Sequence, residues 1–131
     1  MAEQAKDLWP DDFGTMDTPS PGPLLREQAA QLGRRTNNVV EAEVETKVET
    51  DFLRTDRLVH RFYLKAPLLH YHYLLFTVKH EVAEEYPVDI VHDDLGGSCD
   101  SHNTLVERLK EIFSSASTKK IIATLVRESR A

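Results

Sequence analysis

Cysteine is almost absent: Cys99 is the only one in 131 residues. An intrachain disulfide and a cysteine-based zinc cage within one chain are therefore both excluded. Long apolar runs are missing too, none approaching the ~18 residues that a membrane span needs. The N-terminal MAEQAKDLWPDD has neither the basic segment nor the apolar run of a signal peptide. A soluble, cytoplasmic protein with no membrane partner is expected. Basic excess is the third lack. The formal net charge is −6, and residues 1–20 set Glu3, Asp7, Asp11, Asp12 and Asp17 against Lys6 alone, which gives −4. Neither that segment nor the rest of the chain has the charge to draw in a phosphate backbone, so nucleic acid is not an expected partner. No internal repeat is visible.

What is present is 40% apolar content, enough for one domain with a core. Residues 1–22 combine prolines, glycines and acids without apolar periodicity and read as a disordered acidic tail, leaving 23–131 as a single domain. Trp9 and Phe13 lie four apart in the tail, a pattern that suits either partner docking or loose packing. Pro23 opens a short helix in which Leu25, Ala29 and Leu32 share a face, with Gly33 as its stop. Arg34 and Arg35 follow, where a helix C-terminus favours cations.

From Val39 the period changes to two. Val40, Ala42, Val44, Thr46 and Val48 alternate with Glu41, Glu43, Glu45, Lys47 and Glu49, a strand with an acidic outer face. Arg57–Lys65 is a second strand, His70–His80 a third, and Pro87–His92 a short fourth restricted by its proline. Asp93–Asp100 is a glycine-bearing loop. A helix begins near Asn103 or Thr104, where Thr104 and Glu107 have the spacing of a capping box, and carries Leu105, Leu109, Ile112 and Phe113. Ser114–Ser117 interrupts it. A last helix, Thr118–Glu128, presents Ile121, Ile122, Leu125 and Val126. The class is α+β: a four-stranded antiparallel meander sheet with one face covered by an N-terminal helix and two C-terminal helices.

Parity constrains the strand register, because cross-strand partners share a face. In the first hairpin, Glu49 is expected opposite Arg57, Glu45 opposite Arg61 and Glu41 opposite Lys65, with Val48 facing Leu58. In the second, Leu64 is expected opposite His72, Phe62 opposite Leu74, His60 opposite Phe76 and, outside, Tyr63 opposite Tyr73. The outer face then carries Arg61, Tyr63, Tyr71, Tyr73 and Leu75, unusually aromatic for a face left to water.

Chemical motifs are sparse. His70-x-His72 has a spacing seen when a strand supplies two metal ligands, but His60 would lie about 13 Å along the hairpin from the place opposite His72, at ~3.3 Å per residue. No metal or other cofactor is expected, and the histidines read as hydrogen-bonded residues at the rim of the core. His92-Asp93-Asp94 with Gly96-Gly97 reads as a strand-to-helix loop rather than a cation or anion site. Cys99 reads as an exposed thiol of ordinary acidity. No serine sits in a nucleophile elbow.

Two function classes follow. The first is a small non-catalytic protein-interaction or regulatory module that binds a protein partner, or itself as a homo-oligomer, through Arg61, Tyr63, Tyr71, Tyr73 and Leu75 on the outer sheet face. The alternative is a small-molecule-binding or enzymatic α+β domain with a pocket between helices and sheet near His60, His70 and His72. The order of a helix followed by an antiparallel meander resembles that of cystatin-like domains, an implication for fold alone, since no motif accompanies it.

Overall fold

The computed structural model describes residues 7–11, 13 and 20–130. Much of the proposed tail, residues 1–6, 12 and 14–19, lies outside the described residues. The elements in order are α1 (Pro21–Arg35), β1 (Glu41–Thr50), β2 (Asp56–Ala66), a 3-10 turn (Pro67–Leu69), β3 (Tyr71–Glu81), β4 (Val88–Val91), β5 (Gly97–Cys99), α2 (His102–Ser114) and α3 (Ala116–Ser129). The α+β meander is present with five strands rather than four, in the spatial order β1-β2-β3-β4-β5. The added strand comes from the glycine-bearing loop, which folds back so that Val88 faces Cys99 and Ile90 faces Gly97. Three residues are too few to show a period. The turn needs Gly96, where a Cβ would lie 2.8 Å from the Ile90 carbonyl oxygen.

Helix α1 starts two residues before Pro23 and continues through Gly33 to Arg35. Gly33 is therefore not the stop. Asn37 and Asn38 turn the chain with φ of 52° and 64°, and the Asn38 N–H donates to the Gly33 carbonyl at 2.8 Å. Asparagine tolerates the left-handed region better than most side chains, so it ends the helix here. The α2–α3 break narrows to Ser115, whose Oγ accepts from the Thr118 N–H at 3.2 Å as the α3 N-cap. Ser101 caps α2 likewise, three residues before the Thr104 expected to do so. Ser115→Ala is expected to lower stability by about 1 kcal/mol, read from the midpoint of urea unfolding.

The β1–β2 register is the expected one, with Glu49 opposite Arg57, Glu45 opposite Arg61, Glu41 opposite Lys65 and Val48 opposite Leu58. The β2–β3 register is not. Phe62 faces Phe76 and His60 faces Val78, then the ladder shifts at Phe62/Tyr63, so that Tyr63 faces Leu74, Leu64 faces Tyr73 and Lys65 faces His72. Leu75 is the extra residue of a β-bulge, and it is buried together with Phe76. Beyond the bulge the parity of β3 reverses. Tyr73 and Tyr71 join the helix-covered face, while Leu74 and His72 turn outward. The physical reason is burial: strict alternation would put His72 and Leu74 on the covered face, and the inserted residue exchanges them for Tyr73 and Leu75, so that Tyr73 packs against the core where His72 would stand and Leu75 is buried in place of Leu74.

The core lies between the even-numbered face of the sheet and the helices. Phe62, Leu64, Phe76 and Val78 from the central strands meet Leu25 and Ala29 of α1 and Leu105, Leu109 and Ile112 of α2. At its centre the Phe62 ring stacks on Phe76 with centroids 4.9 Å apart and meets Phe113 of α2 at 5.4 Å. Helix α1 packs on β1 and β2, α2 on β5, and α3 on β2 and the 3-10 turn. No helix among the described residues is long and apolar enough to cross a membrane.

Candidate functional site

The outer face of the sheet is an ion-pair lattice rather than an aromatic one. Arg61 donates to Glu49 at 2.6 Å and lies 3.7 Å from Glu45, Lys65 reaches Glu43 at 2.8 Å, and Arg57 reaches Asp89 at 2.7 Å. Two of these contacts, Arg61 to Glu49 and Lys65 to Glu43, run diagonally across directly opposed pairs, as the twist of a two-strand ribbon allows. The guanidinium of Arg61 holds the Glu49 carboxyl below its ordinary range. Val59, between Lys47 and Lys79 on the flanking strands, is only 1% exposed. Of the five interface candidates, Arg61 and Tyr63 stand on this face. Tyr71, Tyr73 and Leu75 do not: the bulge carries them to the opposite side, which corrects the expected cluster. Tyr63 instead meets His72 edge-on at 5.5 Å.

The three histidines of the alternative reading do not converge. His70 is exposed at the end of the 3-10 turn with φ of 51°, outside the strand. His72 is exposed on the outer face because of the bulge. His60 is 3% exposed under α1, where a Cβ at Gly22 would lie 3.2 Å from its Cε1, so the glycine lets helix and sheet approach. Its partner is His80, an unforeseen neighbour at 2.9 Å between Nε2 atoms. The Glu81 carbonyl, 3.0 Å from His80 Nδ1, accepts only. With both rings neutral, donation runs one way: Arg26 to Thr46 Oγ1, Thr46 to His60 Nδ1, His60 to His80, and His80 to Glu81. Burial, with His80 and Arg26 adding to it, pushes His60 down to about 4.

Cys99 is fully buried, not exposed, and burial pushes its thiol up. The Asp93–Gly97 loop satisfies itself. His92 Nδ1 accepts from the Asp94 and Leu95 N–H groups, and Arg108 donates to the Leu95 and Gly96 carbonyls at 2.9 and 3.0 Å. Among the described residues, no three His, Cys, Asp or Glu side chains gather closely enough to hold a metal ion.

The concave feature lies elsewhere. A cleft of about 460 Å³ opens between the C-terminal half of α1 and the first turns of α3, with β2 and β3 beneath. Its floor is core: Phe62, Leu64, Leu75 and Phe113, with Leu32 and Ile122 as walls. Gln28, Gln31, Arg35 and Lys119 form a polar rim. A second cleft lies on the other flank of α3, where Tyr71 and Tyr73 meet Ile121 and Leu125. None of His60, His70 and His72 lines the first cleft. The sequence signal for the two clefts is the adjacent pair Ile121-Ile122, an apolar stripe wider than one line of contact fills, with Ile122 in the first cleft and Ile121 in the second. Comparison with protein-family models, with curated proteins and with solved structures finds no match for the chain.

Proposed function

We propose that the protein binds a small apolar or amphipathic ligand in the cleft between α1, α3 and the sheet. One observation carries this reading: a cleft open to solvent is lined by the half-buried Leu32, Phe113 and Ile122 and reaches down to the buried Phe62 and Leu64 at the centre of the core. Its volume falls within the range of small-molecule sites, and its make-up of apolar floor and few polar rim groups is theirs as well. The outer-face reading has less support. Its tyrosines are split between two faces, and the arginine meant to anchor a partner is engaged by Glu49 and Glu45.

The test uses decanol as probe and Ala123→Phe as the blocking variant. Ala123 lines the cleft from an exposed helical position, so a ring there fills space without entering the core. Decanol is expected to shift the methyl NMR signals of Leu32, Leu64, Leu75 and Ile122, and Ala123→Phe to abolish those shifts at an unchanged melting temperature. Shifts scattered over the whole molecule, or equal in the variant, refute the reading.

A further inference from the structure

We infer that the ligand of this cleft is an amphipathic anion, an apolar chain bearing one carboxylate, whose head is taken at the rim by Arg35 and Lys119. The inference rests on the ligand-binding reading and adds the charge of the occupant. No Asp or Glu is among the residues that line the cleft, although acids outnumber bases in the chain by 22 to 16. The two ionic groups at the rim are both cations, brought from opposite walls: Arg35 is in the last turn of α1 and Lys119 in the first turn of α3. Neither belongs to any ion pair among the described residues, so no carboxylate of the protein competes for them at the rim.

Gln28 and Gln31 supply amide donors on the same wall without competing charge. An apolar floor alone would accept a neutral chain as readily. Two unpaired cations above it disfavour an amine and favour a carboxylate, because a charge-assisted hydrogen bond is stronger than a neutral one. Water at the rim screens that preference, so it is a matter of discrimination between head groups more than of total affinity.

Matched titrations of the full chain with decanoate, decanol and decylamine, followed calorimetrically and by the methyl signals above, test this. Decanoate is expected to bind about tenfold more tightly than decanol, and decylamine more weakly than either. In the double variant Arg35→Gln with Lys119→Gln, both at exposed positions, decanoate and decanol should bind with equal affinity. Raising the salt concentration should narrow the gap in the wild type. Equal binding of decanoate and decanol to the wild type, or a decanoate preference that survives the double variant, overturns the anionic head while the cleft reading stands. If none of the three chains shifts the cleft methyls, the cleft reading falls, and this inference with it.

Discussion

Phe62→Ala is expected to lower the unfolding free energy by about 4 kcal/mol. Phe62 is 1% exposed and belongs to a set of three mutually touching rings with Phe76 and Phe113, so removing it withdraws apolar area and two aromatic contacts together. The surroundings have little freedom to close the gap. On one side, Phe62 is fixed by the β2–β3 ladder immediately before the bulge. On the other, Phe113 is carried by α2, whose Leu105, Leu109 and Ile112 are already buried. A domain of this size has about 5–15 kcal/mol in total, so the variant is expected to sit near its unfolding threshold at physiological temperature. Phe62→Leu keeps most of the volume and should lose about 1.5 kcal/mol. Urea unfolding of the two variants and the wild type gives the comparison. A loss below about 1 kcal/mol for the alanine variant would show that the three rings are not the centre of the core.

How far the sequence carries this structure is best seen on either side of that residue. The β1–β2 hairpin was legible because its two faces differ sharply. A one-residue slip would bring the glutamates of β1 onto the apolar face, and only the observed register opposes Glu45 to Arg61 and Val48 to Leu58. The β2–β3 hairpin offers no such penalty around Tyr73-Leu74-Leu75-Phe76, where four apolar side chains in a row fit either face. That break in alternation is itself the signal of a bulge, which the expectation of an unbroken strand leaves out. Everything placed beyond it then changed sides: Tyr71, Tyr73 and Leu75 inward, His72 and Leu74 outward. The cleft was illegible for a different reason. It arises from the spacing between α1 and α3, a tertiary quantity, and no single helix pattern records how closely two helices approach. The pairing of His60 with His80 belongs to the same class, since with the expected register His60 lay opposite Phe76, and a shift of two residues brings His80 within reach.

That pairing sets the pH dependence. Stability is expected to fall by about 2 kcal/mol between pH 7 and pH 4.5 on account of His60. Below pH 6.5 the imidazole of residue 60 takes up a proton in the unfolded chain, while in the folded protein it stays neutral down to about 4. The unfolded state therefore binds more protons across that window, and stability declines as pH falls through it. Above 6.5 both states are neutral and the group contributes nothing. The cause is geometric: His60 is buried, its two nitrogens are occupied by Thr46 and His80, and His80 and Arg26 both oppose a further positive charge. No carboxylate joins the chain of hydrogen bonds, since Glu81 contributes its backbone carbonyl. A proton added here is a buried charge without a counter-ion, which the fold resists. Denaturant unfolding at several pH values, with His60→Gln beside the wild type, isolates the effect: the variant should be less stable at pH 7 and lose less on acidification. NMR titration of the His60 ring provides the direct check, with a midpoint near 4 expected. A midpoint at the ordinary value of about 6.5 would mean that the His60–His80 contact accepts a proton without resistance, and the one-way order of donors from Arg26 to Glu81 would have to be abandoned.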